Sequence, residues 1–183
     1  MKIIVGLGNP GEKYKNNRHN VGQMFIDYLI NELTNSRVNE LEEIKMLQVT
    51  SYKLQGLILA KSLTFMNLSG LAVKELAKNY ELRTMNLFVV HDDLDIPLGK
   101  FKIQKGVGPL LHNGIESIEN SLAGKDFWRV RIGIDNRKPN TWIDGETYVL
   151  QDFQPEEKKI VSELFPSIFV RLKNDFLLNN LSA

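Results

Sequence analysis

His19 lies in a polar stretch that runs from Glu12 to Asn20, and Asp92 follows the apolar run Leu87-Phe88-Val89-Val90 within His91-Asp92-Asp93-Leu94-Asp95. Such an apolar run reads as a buried strand, so its polar continuation lies at a strand end, where open α/β sheets gather ligand sites. The two residue types suit general-base chemistry: an imidazole takes a proton from water while a carboxylate fixes its tautomer and stabilises the imidazolium. Asn9, Asn67 and Asn113 could surround the water with neutral donors and acceptors. Two of them have ordinary alternatives. Asn113-Gly114-Ile115-Glu116 reads as a helix N-cap with Glu at the third position, and Asn67 competes with Ser69 for a cap. A divalent cation is the other use for His91 and the three aspartates, but no second acidic cluster sits at a strand end, and Asp93 and Asp95 can serve the turn instead. There is no cysteine and no G-x-S-x-G elbow, so a covalent acyl-enzyme is not indicated.

Gly6-Leu7-Gly8-Asn9-Pro10-Gly11, after Lys2-Ile3-Ile4-Val5, matches the dinucleotide fingerprint G-x-G-x-x-G. That fingerprint needs a helix opening inside the glycines and an acidic residue about 20 positions on. Neither is present. Pro10 makes Asn9-Pro10-Gly11 a turn, and helical spacing starts only near Val21, with Met24, Phe25, Tyr28, Leu29 and Leu33. The glycines therefore bring backbone and the Asn9 amide close to a neighbour other than a pyrophosphate.

Periodicity predicts strands at 2–6, 46–53, 57–61, 86–91, 99–104, 128–134 and 147–150, with a hairpin around Gln55-Gly56. Helices are expected at 20–34, 69–80, 113–122 and 156–180, the last broken near Pro166. Alternation of the two types implies one domain over residues 1–183: a three-layer α/β/α fold with a mixed, mostly parallel, twisted sheet.

With 183 residues, 43% of them hydrophobic, the chain can fill one substantial core. It has no cysteine, signal-peptide pattern or membrane-length apolar run, which fits a cytoplasmic address. The net charge of +1 makes no global case for nucleic acid. Between Ile96 and Lys138, however, Lys100, Lys102, Lys105, Lys125, Arg129, Arg131, Arg137 and Lys138 face only Glu116, Glu119, Asp126 and Asp135. Lys100 and Lys102 alternate on one strand pattern, and Arg129 and Arg131 on another, so each pair shares a face.

Taken together these segments resemble bacterial-type peptidyl-tRNA hydrolases. The resemblance rests on Val5-Gly6-Leu7-Gly8-Asn9-Pro10-Gly11 with Tyr14, Arg18-His19-Asn20-Val21-Gly22, Thr64-Phe65-Met66-Asn67-Leu68-Ser69-Gly70, and His91-Asp92-Asp93-Leu94-Asp95-Ile96-Pro97. It extends through Gly99-Lys100-Phe101-Lys102, His112-Asn113-Gly114-Ile115, Phe127 with Arg129-Val130-Arg131-Ile132-Gly133-Ile134, and Tyr148-Val149-Leu150. It implies a monomer that cleaves the ester between a peptide and the terminal ribose of tRNA, without metal or organic cofactor. His19 would be the base, Asp92 its partner, and Asn9 a catalytic or positioning amide. Tyr14, Phe65, Met66, Asn67 and Asn113 would meet the peptide or ester, and Lys102 and Arg131 the acceptor-stem phosphate. The alternative is a non-catalytic RNA-binding relative of the same fold, which retention of His19, Asp92 and the asparagines disfavours.

One segment departs from the family pattern. Before His112 the family carries a glycine-rich gate ending in Gly-Gly, whereas this chain reads Lys105-Gly106-Val107-Gly108-Pro109-Leu110-Leu111. The bulky leucines are expected either to narrow the peptide channel and displace Asn113, or to bulge outward and pack on the neighbouring helix.

Overall fold

The computed structural model describes residues 1–35, 41–54, 56–138 and 143–177. Seven strands are described: β1 (Lys2–Gly6), β2 (Glu42–Lys45), β3 (Val49–Leu54), β4 (Leu57–Ser62), β5 (Leu87–Pro97), β6 (Phe101–Lys105) and β7 (Trp128–Asp135). Five α-helices are described: α1 (Val21–Asn35), α2 (Ser69–Tyr80), α3 (Asn113–Leu122), α4 (Gly145–Val149) and α5 (Pro155–Leu172), all but α4 from segments with helical spacing. One sheet runs β2-β3-β4-β1-β5-β7-β6. Its four central strands β4, β1, β5 and β7 are parallel, and antiparallel partners flank them at both ends.

Strand periodicity divides the core into two layers. Ile4, Leu59, Val90 and Val130 meet Phe25 and Ile26 of α1 and Phe165 and Ile168 of α5 on one face. Ile3, Val5, Ile58 and Val89 meet Ala72, Val73 and Leu76 of α2 and Ile118 of α3 on the other. This is the expected three-layer α/β/α arrangement. It brings the carboxyl ends of β1 and β5 beside the first turn of α1.

The glycines near the N-terminus serve that approach. A Cβ on Gly6 would lie 2.3 Å from the Gly22 carbonyl oxygen, and one on Gly22 would lie 2.3 Å from the Val90 carbonyl and 2.7 Å from the Leu7 nitrogen. Only glycine lets the helix rest on the strand ends at that distance. The neighbour the glycines accommodate is α1.

Three expectations are corrected. The strand expected at 86–91 does not stop there: β5 runs on through Asp92 and Asp93, paired with Ile132 and Gly133 of β7, to Pro97, so Asp92 lies within the strand and not beyond its end. Residues 147–150 belong to no strand: Asp144 accepts a hydrogen bond from the Thr147 N–H at 2.8 Å, starting α4, and Tyr148 donates its hydroxyl to the Ile134 carbonyl at 3.0 Å. That cap and buried contact override the strand preference of Thr-Tyr-Val. Helix α5 passes through Pro166 unbroken, with Pro166 on the exposed side and Phe165 and Ile168 buried around it. It yields only at a wide π-type turn, Lys173–Leu177, where Phe176 packs on Trp128 and Phe88. Residues 178–180 of the expected helix, and Gln55 of the hairpin, lie outside the described residues. Strand β2 escaped the sequence reading because Glu42-Glu43-Ile44-Lys45 is a charged, mostly exposed edge with no apolar alternation.

Candidate active site

His19 occupies the centre of a single 3-10 turn, Arg18–Asn20, directly before α1, and both neighbours fasten it. Arg18 is buried, with one terminal nitrogen 2.6 Å from Glu157 Oε2, the other 3.2 Å from the Tyr148 carbonyl, and its guanidinium 4.1 Å over the Tyr148 ring. Asn20 brackets Asn9, accepting its N–H at 2.9 Å and donating to its carbonyl at 2.9 Å. The imidazole between them is only 8% exposed.

Its partner is the one expected. His19 Nδ1 lies 2.8 Å from Asp92 Oδ1 on β5. A carboxylate accepts, so Nδ1 carries the proton and Nε2 presents a lone pair; Nε2 has no partner among the described residues and reaches solvent. Burial alone would lower the His19 pKa, but the Asp92 charge and hydrogen bond together outweigh it, and the ring stays above its ordinary value. Burial likewise opposes ionisation of Asp92, yet two imidazoles hold its carboxyl well below the usual carboxylate range.

The second imidazole was missed in the sequence. His112 Nε2 lies 3.1 Å from the same Asp92 oxygen, while its Nδ1 accepts the backbone N–H groups of Gly114 and Ile115 at 3.1 and 3.3 Å. Thus His112, not Asn113, is the N-cap of α3. Its proton is fixed on Nε2 and directed at Asp92. This corrects the capping reading of Asn113, whose exposed side chain makes no hydrogen bond to the described residues. A third ring, His91, is fully buried; its Nδ1 donates to the Asp92 carbonyl at 2.6 Å, and burial holds it far below the ordinary imidazole value, unprotonated at Nε2.

Asn9 and Asn67 follow the carboxyl ends of the parallel strands β1 and β4, and Asn113 follows His112. Asn9 Oδ1 accepts the Met66 N–H at 2.8 Å, which orients the amide and leaves Nδ2 free to donate. Asn67 follows Met66 on the 3-10 turn Met66–Leu68 and is exposed, without a hydrogen bond to the described residues. Tyr14 and Phe65 meet edge to face, ring centroids 6.4 Å apart, and Met66 is buried, close enough that a Cβ on Gly114 would lie 2.5 Å from its sulfur. A base with an aimed lone pair, a carboxylate behind it and the free Nδ2 of Asn9, which Asn20 ties to the same turn, can activate water against a carbonyl.

The peptidyl-tRNA hydrolase family model matches residues 3–179. The chain belongs to that family. A peptidyl-tRNA hydrolase from Lawsonia intracellularis is 42% identical over 167 residues, 91% of this chain and 83% of its own length. Another from Mycoplasma mycoides is 37% identical over 98% of this chain and 94% of its own. A crystal structure of the enzyme from Acinetobacter baumannii aligns with a TM-score of 0.79 at 27% identity, over 94% of this chain and 87% of that one.

Two basic residues suggested by the family pattern are placed differently. Lys102 is exposed on edge strand β6, with no ion pair among the described residues. Arg131, opposite it on β7, is buried: Nε contacts Asp93 Oδ2 at 2.6 Å and Nη1 contacts Gln104 at 2.8 Å. Arg129 is also buried, holding Glu119 at 2.7 Å and the Gly108 carbonyl. The shared face of the two arginines is therefore occupied by internal partners. Asp93, as expected, also serves its turn, accepting the Asp95 N–H at 2.8 Å.

The departing gate neither plugs the site nor covers itself. Leu110 and Leu111 are 86% and 91% exposed, pack on no helix, and leave His112 seated on Asp92. His19, Asp92 and His112 form the one cluster of potential metal ligands among the described residues. Their chemistry suits mutual hydrogen bonding better: His112 Nδ1 is engaged by two N–H groups, so Nε2 offers Asp92 a proton and has no lone pair for an ion.

Proposed function

We propose that this chain hydrolyses the ester between the peptide and the terminal ribose of peptidyl-tRNA, with His19 as general base. The observation that carries the reading is the 2.8 Å contact of Asp92 Oδ1 with His19 Nδ1, which leaves Nε2 open to solvent. Nε2 takes a proton from water, the water oxygen attacks the ester carbonyl, and the imidazolium returns the proton to the departing ribose oxygen. Asp92 stabilises the imidazolium. Asn9 Nδ2, Asn67 and Asn113 hold the carbonyl, the peptide backbone or the water, with Tyr14, Phe65 and Met66 around the peptide. Products are a peptide carboxylate and free tRNA. A purely RNA-binding relative has no need of the Asp92–His19 couple.

The working imidazole is the neutral one, so kcat should rise with pH and level off, with a midpoint above the ordinary histidine value of about 6.5 because Asp92 raises it. Initial rates on an N-acetyl-aminoacyl-tRNA between pH 5 and 9, with free aminoacyl-tRNA as the control, test this. A profile flat across that range removes His19 as the base.

Lys102, exposed and without an ion pair among the described residues, is free to meet an acceptor-stem phosphate. Lys102→Ala should raise KM, leave kcat near the parent value, and reduce the logarithmic salt slope of binding by about 0.7 to 0.9. Equal slopes in variant and parent would place the tRNA elsewhere. Arg131 joins the phosphate only by giving up Asp93, so its removal also strands a buried carboxylate. The reading includes a monomer that acts in the cytoplasm without metal or organic cofactor, and no helix among the described residues is long and apolar enough to cross a membrane.

A further inference from the structure

Scattered exposed leucines need no explanation, but two adjacent ones held open beside a reaction site do. The loop carrying Leu110 and Leu111 is fastened on both sides of them. On the near side the Leu110 N–H donates to Asp95 Oδ2 at 2.7 Å, and Arg129 grips the Gly108 carbonyl. Gly108 itself lies so close to Arg131 that a Cβ there would stand 2.2 Å from the guanidinium carbon. On the far side His112 is held to Asp92 at 3.1 Å. Backbone pinned at both ends prevents the leucines from collapsing onto the protein. Val107, on the same loop, adds a half-exposed apolar side chain.

The surroundings indicate what meets this surface. Leu111 is one residue from His112 and two from Asn113, so the lip borders the amides that suit a peptide backbone. Across the start of α3, Phe65, Leu68 and Leu71 are also substantially exposed, and Met66 contacts Gly114 of that helix. Polar amides flanked by apolar rims match a peptide with apolar side chains. RNA phosphate is the poorer match, since Arg129 and Arg131 beneath the loop are committed to Glu119, Asp93 and Gly108.

We infer that Leu110 and Leu111 form an apolar lip that favours substrates whose peptide carries apolar side chains next to the ester. This rests on the hydrolase reading above. The lip acts through binding, since neither leucine can move a proton.

The test compares two substrates on one tRNA, an N-acetylated Leu-Leu peptide and an N-acetylated Ser-Ser peptide, with the parent and Leu110→Ser/Leu111→Ser. The ratio of kcat/KM, leucine over serine substrate, should fall about 3- to 10-fold in the variant, mostly through KM, as expected for apolar contacts on an open rim. Leu110→Met/Leu111→Met should retain the parent ratio. Both side chains are exposed, so the variants should melt with the parent. An unchanged ratio overturns the lip. Equal losses on both substrates with an altered salt slope overturn it in favour of tRNA contact, and a parent dimer that the serine variant loses overturns it in favour of a second copy. Hydrolysis of neither substrate by the parent is a different outcome, which refutes the hydrolase reading itself.

Discussion

His19→Ala should lower turnover by about 10² to 10⁴ while KM for the tRNA substrate stays near the parent value, because general-base assistance is worth that much and the ring need not hold substrate. The fold should survive. Arg18 and Asn20 fasten the turn independently of the imidazole, and Asp92 keeps His112 as a hydrogen-bond partner. Stability should nevertheless change with pH in a defined direction. A group whose folded pKa is raised contributes stability that is full below its unfolded value, about 6.5, and lost as pH rises through the folded value. The variant should therefore fall short of the parent most at pH 5 to 6 and converge toward it at alkaline pH. Single-turnover rates on N-acetyl-aminoacyl-tRNA, with thermal melts at three pH values, measure both. Turnover close to the parent's would take His19 out of the mechanism.

Asp92→Asn should be about as costly to turnover, by about 10³ to 10⁴, for a different reason. An amide presented through its NH₂ selects the wrong imidazole tautomer, and one presented through its oxygen cannot stabilise the imidazolium. With the charge gone, burial of His19 is no longer outweighed, so the midpoint of any residual pH profile should drop below the ordinary histidine value. A merely structural role for Asp92 would lower activity without moving that midpoint. The carboxylate also supports the fold: its depressed pKa contributes stability present above about pH 3.9 and lost as pH falls through the lower folded value. Two imidazole donors then face an amide, and melting at neutral pH should fall as well. A folded variant with parental turnover and an unmoved midpoint breaks the proposed couple.

The sequence was most readable where function coincides with a change in its apolar pattern. Asp92 follows an apolar run that reads as a buried strand, and His19 precedes the first residue of helical spacing; β5 nevertheless carries on past Asp92 to Pro97, because its polar residues still pair with Ile132 and Gly133 of β7. The three layers followed from alternating periodicities, and the rejection of a dinucleotide site followed from where helical spacing begins. Local residue order also misled: Thr-Tyr-Val suggested a strand at 147–150, but an Asp144 cap and a buried Tyr148 made a helix. Asn113 looked like a cap because it precedes Gly-Ile-Glu, but the preceding imidazole took that position.

What only the tertiary structure decided is the pairing of groups distant in sequence. That His112 shares Asp92 with His19, that Asn20 clasps Asn9, and that Arg131 spends its nitrogens on Asp93 and Gln104 depend on which strand ends lie side by side. Spacing along one strand tells which residues share a face, but says nothing of what occupies that face. The glycines at 6 and 22 show the same division. Their lack of a Cβ could be read as a demand for close approach, whereas the crossing of α1 over β1 and β5 determined that the approaching group is helix backbone, and so put the base within reach of its carboxylate.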